Sequence, residues 1–224
     1  MKRKNAISIL LISFIFSNVA AAGGLHYLNA EAANFTSLPA PPAIGSPAAA
    51  SDLAQVLKLQ QSRTTADCAR ANHELSLAFG DIFGAPLGPL TANEIQAGSK
   101  LYNQIKTDTD YFVVSIKNHW MRQRPYLESN QVKPCLPLES SSSYPSGHAT
   151  ISRAEALVFA QIYPDKADAL LARANEVGMD RAMGGVHHPA DIQAGQALAN
   201  LLFTKMQQNA SFVAEINLER QNRR

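Results

Sequence analysis

The stretch from Thr91 to Ile116 constrains the fold most. Thr91-Ala92-Asn93-Glu94 has the capping-box pattern of a helix start. Behind it Ile95, Leu101, Tyr102, Ile105, Phe112, Val113 and Ile116 recur at three- and four-residue steps. That is helical periodicity sustained for about seven turns. The same period returns along the chain. Ser51-Asp52 reads as a helix start followed by Leu53, Val56 and Leu57, and Thr64 or Thr65 caps a helix running to about Phe79. Gly84, Pro86, Gly88 and Pro89 then break the chain. Ser146 can cap a helix carrying Ile151, Ala154, Leu157, Val158 and Ile162, which Pro164 ends. Asp165 starts another with Leu170, Leu171, Ala174 and Val177, and two more run through Ile192, Leu198, Leu202 and then Phe212, Val213 and Ile216. Neither strand-type alternation nor an internal repeat competes. The expectation is an all-α, single globular bundle of about six to eight helices.

The 224 residues suffice for one domain with a substantial core. Met1-Lys2-Arg3-Lys4, the mainly apolar Ala6 to Phe16, and Ala20-Ala21-Ala22 make a secretory signal pattern over residues 1–22, with an uncleaved membrane anchor as the alternative. Residues 23–50 are rich in Ala, Pro and Ser and read as an extended linker or an arm laid on the surface. The helical domain then occupies 51–224. Losing Lys2, Arg3 and Lys4 with the leader turns the net charge from +2 to about −1, too balanced for a nucleic-acid binder. No later segment is apolar enough for stable membrane insertion, so the mature protein is expected in the periplasm or secreted. Cys68 and Cys135 are an even pair in an oxidising compartment, which invites a disulfide; a buried thiol explains each equally well.

Three polar blocks carry chemistry. The first is Lys117 to Pro125, the second Tyr144-Pro145-Ser146-Gly147-His148, the third Asp180 to Asp191. Pro189 suits the first position of a helix. His187 then stands just before that helix and Asp191 lies in its first turn, from where the carboxylate can reach back and hold the imidazole by one ring nitrogen. The other ring nitrogen is free to attack. Lys117, Arg124 and Arg181 are cations, and Ser146 and Gly147 sit where helix-start N–H groups point outwards. A phosphoryl group wants these partners: guanidinium forks, a lysine point charge and helix-start amides. Gly147 lets the backbone come close. Two histidines, His187 and His148, can divide attack and leaving-group protonation.

The blocks read K-x6-RP, PSGH and, with one departure, SR-x5-H-x3-D. In this order and spacing the chain resembles the type-2 phosphatidic acid phosphatase and haloperoxidase superfamily, and its secreted single-domain form is similar to the bacterial class A non-specific acid phosphatases. The departure is Asp180, where the family has serine; an acidic neighbour could repel substrate or tether Arg181. The resemblance implies a helical phosphatase of broad specificity for small phosphomonoesters, with phosphotransfer to alcohols as a side activity. It implies His187 as nucleophile forming a phosphohistidine, Asp191 as its orienter and His148 as acid and then base. Lys117, Arg124, Ser146, Gly147 and Arg181 become the phosphate cradle. No metal or other cofactor is implied, because the arginines and lysine fill a cation's role. A homo-oligomer stays open, with no interface readable. An acidic optimum follows if low pH keeps His148 protonated.

Other readings remain. His187, His188 and Asp191 suit zinc by ligand type, although several cations around them oppose the ion. Vanadate in the phosphate's place would make a haloperoxidase. A periplasmic anion-binding protein would need the clamps but no leaving-group acid. His119 and Trp120 are packing residues or line the pocket mouth.

Overall fold

The structure, a computed structural model, describes residues 24–223; the signal pattern of residues 1–22 lies outside them. Its longer helices are α1 (Pro47–Ser62), α2 (Thr65–His73), α4 (Ala92–Trp120), α6 (Gly147–Ile162), α7 (Ala167–Met183), α8 (Pro189–Met206) and α9 (Ala210–Asn222). Two short ones, α3 (Phe79–Phe83) and α5 (Pro125–Glu128), complete the set. The described residues contain no sheet, and the chain is all-α.

α6 is the hub, packed by α7, α8, α4 and α9. Its sequence explains this. Ala149, Ile151, Ala154, Ala156, Val158, Phe159 and Ile162 are all buried, so the helix is apolar around most of its girth. Phe159 and Tyr102 each lie 4.5 Å from the Phe79 ring, joining α6 to α4 through α3. Burying one such ring contributes about 1.5–3 kcal/mol. Small residues set the spacing at the end of α6 that matters for chemistry. A Cβ on Gly195 of α8 would stand 2.7 Å from the Ser146 carbonyl oxygen and 2.8 Å from Thr150 Oγ1. Only a residue without a side chain permits that approach.

The helix starts follow local chemistry. Thr91 and Glu94 form the reciprocal capping box at α4, and Ser146 Oγ accepts from the Ala149 amide at α6. α1 starts at Pro47, four residues before the Ser51 expected from sequence. Ser46 caps it, and Pro47 at the first position needs no N–H donor. The helix expected from Thr64 to Phe79 ends at His73; Leu77 adopts φ +48 before α3 begins. The segment ahead of α1 packs on the bundle: Tyr27, Leu28, Ala33 and Leu38 are buried, and Asp108 of α4 accepts the amides of His26, Tyr27 and Leu28 at 2.7, 2.7 and 3.1 Å. His119 stacks on Phe35 of this segment at 3.5 Å, a packing role. A disulfide joins Cys68 of α2 to Cys135, with Cα atoms 5.9 Å apart. No helix among the described residues is long and apolar enough to cross a membrane.

Candidate active site

The end of α4 with the loop behind it, the start of α6, and the α7–α8 junction meet in one place. Arg124 Nη1 lies 3.1 Å from His187 Nε2 and also donates to the Val186 carbonyl at 2.8 Å. The Ser146 amide donates to the Asp191 carbonyl at 3.0 Å, tying the two helix starts together. Lys117 Nζ donates to the carbonyls of Ser142 and Ser143. The amides of Val186 and His187 return to the Arg181 carbonyl at 3.1 and 3.2 Å, so the turn after α7 places Arg181 and His187 together.

The state of His187 follows from its neighbours. A guanidinium can only donate, so Nε2 beside Arg124 must carry a lone pair. The ring proton then sits on Nδ1, which faces Asp191 Oδ2 at 3.4 Å and Ser143 Oγ at 3.4 Å. Burial, and then Arg124, hold the His187 pKa well below its ordinary value, so the ring is neutral. Burial alone would raise Asp191, but its bonds to His187 and His188 and the charge of Arg122 hold it well below the carboxylate range.

Asp191 does more than steady one imidazole. α8 begins at Pro189, as the sequence suggests; its capping residue is His188, whose amide donates to Asp191 Oδ2 at 2.8 Å. His188 Nδ1 lies 3.2 Å from the same oxygen, and Ser143 Oγ donates to it at 2.5 Å. Arg122 Nη1 donates to Oδ1 at 2.8 Å. Among the described residues no group of three or more His, Cys, Asp or Glu side chains is arranged to hold a metal ion, so His187, His188 and Asp191 do not form the zinc site offered as an alternative.

The cations crowd one another: Arg124 pairs with Glu139 and Arg181 with Glu74, while Lys117 donates only to backbone carbonyls. Burial and then Arg124 lower Lys117 to about 7. Burial, then Arg181, then Arg124 and Lys117 lower His148 to about 3. Arg181 Nη2 is satisfied from behind by Glu74 Oε2 at 2.7 Å and the Ala71 carbonyl at 2.5 Å. Its Nε and Nη1, and His148 Nε2, are buried with no hydrogen-bond partner among the described residues. Such unsatisfied donors cost about 1–3 kcal/mol each unless a ligand takes them. An anion with several oxygens fits that need.

Two details differ from the sequence reading. Ser146 does not offer its amide, because that N–H is spent on Asp191. With Ala149 capped by Ser146 Oγ, the open first-turn amides of α6 are those of Gly147 and His148. Asp180 neither faces the anion space nor tethers Arg181. Its carboxylate takes a two-pronged bond from Arg70, Nε and Nη2 both at 2.7 Å.

Sequence reasoning passed over several neighbours. Arg122 lies inside the first block, two residues before Arg124, and Ser143 ends the serine run; both had a positional signal. Glu74, Asp52 and Glu139, which accepts from Arg124 Nη2 at 2.6 Å, had none.

A fold and site of this kind define a class, and comparison with known proteins agrees. Residues 107–210 match the PAP2 superfamily model. A non-specific acid phosphatase of Providencia stuartii is 30% identical over 213 residues, covering 89% of this chain and 85% of that protein. A non-specific acid phosphatase of Salmonella typhi is 31% identical over 158 residues, 68% of this chain and 61% of the relative. The crystal structure of a bacterial vanadium-dependent iodoperoxidase superposes with a TM-score of 0.60 at 19% identity, over 80% of this chain and 53% of that one, and shares the fold. The chain belongs to the PAP2 superfamily. Within that superfamily it is a phosphatase.

Proposed function

We propose that the protein is a periplasmic or secreted acid phosphatase that hydrolyses small phosphomonoesters through a phosphohistidine at His187, without a metal. One observation carries this reading: a neutral imidazole, its Nδ1–H turned to Asp191, presents its Nε2 lone pair beside Arg124, while Arg181 Nε and Nη1 and His148 Nε2 are buried without a partner among the described residues. The Cys68–Cys135 bridge and the basic, apolar, small-residue start support export.

The substrate's phosphoryl oxygens take the free donors of Arg181, the Arg124 and Lys117 charges, Ser146 Oγ and the first-turn amides of Gly147 and His148. His187 Nε2 attacks phosphorus while the P–O bond to the alcohol breaks, and His148 gives its proton to the leaving oxygen. Asp191 offsets the positive charge left on the phosphorylated ring. His148, now neutral, takes a proton from water. The hydroxide attacks phosphorus, the P–N bond breaks, and His187 returns neutral with inorganic phosphate released. The preset cations stabilise charge as it develops, and most of the acceleration is electrostatic.

The acid optimum needs a different cause from the one expected from sequence. With His148 lowered to about 3 in the empty site, low pH alone does not protonate it. A phosphate ester loses its second proton near about pH 6. The monoanionic ester therefore brings the proton, and its charge raises His148 enough to receive it. Hydrolysis of p-nitrophenyl phosphate tests the assignment. Turnover that survives chelator and is lost in His187→Ala is expected. Turnover by His187→Ala, or abolition by chelator, overturns it. Bromide oxidation with added vanadate instead of ester hydrolysis would transfer the site to peroxidase chemistry.

A further inference from the structure

Behind Asp191 stands a second layer that the phosphatase chemistry has not used. Arg122 is buried and spans two carboxylates, donating through Nη1 to Asp191 Oδ1 at 2.8 Å and through Nη2 to Asp52 Oδ2 at 2.7 Å. Asp52, buried on α1, accepts the Ala190 amide on its other oxygen at 3.0 Å. A closed ring results: Ala190 amide, Asp52, Arg122, Asp191. It fastens two adjacent residues of the first turn of α8 to α1 and to the loop after α4.

The ring governs how Asp191 meets the histidine. Asp191 Oδ2 faces His187 Nδ1 only while the carboxylate keeps one rotation about its Cβ–Cγ bond. Ser143 and the His188 amide hold Oδ2 from one side, and Arg122 holds Oδ1 from the other. Asp52 in turn fixes the plane of the guanidinium. Charge matters as much as geometry. An arginine alone would cancel Asp191 and leave nothing to offset a phosphorylated, positively charged ring. Asp52 restores one net negative charge to the set. His188 and Glu128, 3.3 Å apart, balance each other when the histidine is protonated.

We propose that Arg122, clamped by Asp52, is a positioning residue for the nucleophile: it holds Asp191 so that His187 keeps its Nδ1–H turned inward and its Nε2 directed at the anion site. This rests on the phosphohistidine reading above. Partners that orient an imidazole through an intervening carboxylate commonly change activity by about 10- to 100-fold when altered.

The test uses the full chain with Arg122→Lys and Asp52→Asn. Lysine can serve one carboxylate but not both, and asparagine keeps an acceptor for Ala190 while removing the charge. The readouts are kcat and KM for p-nitrophenyl phosphate, with inhibition by orthovanadate and by inorganic phosphate. Vanadate imitates the five-coordinate state bonded to Nε2, whereas phosphate needs only the cradle. Both variants should lose kcat by about 10- to 100-fold and weaken vanadate by a similar factor. KM and phosphate inhibition should stay within about threefold of wild type, because cradle binding alone does not use the nucleophile. Wild-type kcat and vanadate affinity in the folded variants overturn the proposal, as does phosphate affinity falling in step with vanadate. If Arg122→Lys does not fold, Asp52→Asn decides. A wild type that turns over no phosphate ester overturns the phosphatase reading instead. The His187 Nδ1–H proton resonance then decides: displacement in Asp52→Asn supports the clamp, and an unchanged line overturns it.

Discussion

Gly195→Ala separates the stability of the bundle from the geometry of the site. The added Cβ would stand 2.7 Å from the Ser146 carbonyl oxygen and 2.8 Å from Thr150 Oγ1. Carbon–oxygen contacts settle at about 3.3 Å or more, so something must yield by roughly 0.6 Å. The two oxygens are themselves bonded at 2.6 Å, which leaves neither free to turn away alone. The relief available is to slide the first turns of α6 and α8 apart. Those turns carry Ser146 and His148 on one side and Asp191 on the other. Overpacking costs about 1–3 kcal/mol. Replacing a helical glycine returns about 1 kcal/mol. The net is roughly 0–2 kcal/mol, a fall in Tm of at most about 8 °C for a domain of this size. Catalysis should suffer more, because a displacement of about 1 Å can cost roughly 100-fold. Thermal melting by circular dichroism with parallel p-nitrophenyl phosphate kinetics should therefore give a modest Tm change and a kcat reduced by about 10-fold or more. A variant with wild-type kcat would refute the claim that this helix contact sets the site.

Asp180→Ser should cost stability rather than rate. It strips Arg70 of its two-pronged partner, a loss of about 1–3 kcal/mol in urea titration, while Arg181 keeps Glu74 and the Ala71 carbonyl; a kcat loss beyond about 10-fold with unchanged stability contradicts this. The pH profile of kcat/KM should fall above about pH 6, as esters lose the proton they bring, and more steeply past the Lys117 pKa of about 7, where the empty cradle loses a charge. Esters with higher second ionisations should move the first limb upward and leave the second in place, and a rate climbing steadily from about pH 5 to about pH 9 would sink the assignment. Cys68 and Cys135 close a separation of 67 residues, so replacing both with serine should cost about 4 kcal/mol in denaturant, and thiol titration of the native protein should find none free.

Much of this molecule was legible from the chain because its signals are local. The Thr91–Glu94 box, the long period behind it, the cap at Ser146 and the helix start at Pro189 are decided within a few residues. The three blocks were legible because their spacing is set by helix starts and by the turn after α7. What escaped depends on distant packing. Nothing around Glu74 announces that it will stand behind Arg181, 107 residues away. Nothing in α1 shows Asp52 meeting Arg122 and the Ala190 amide. The Ser146 amide looked free because only tertiary structure brings the Asp191 carbonyl to it. Pro47 reads as part of the preceding Pro-rich segment, yet a proline at a first helical position is as natural as one in a linker. The pKa of His148 is likewise out of reach of local signals, since it depends on burial and on cations from the first and third blocks.

Rapid acid-free quench of the enzyme during turnover of a labelled phosphomonoester, followed by peptide mapping, tests the covalent step most directly. Chemistry at His187 Nε2 predicts a single phosphoramidate on the peptide carrying His187, labile to acid, stable to alkali and absent from His187→Ala. A label on another side chain, or full turnover with no covalent phosphate trapped at any time point, would contradict it.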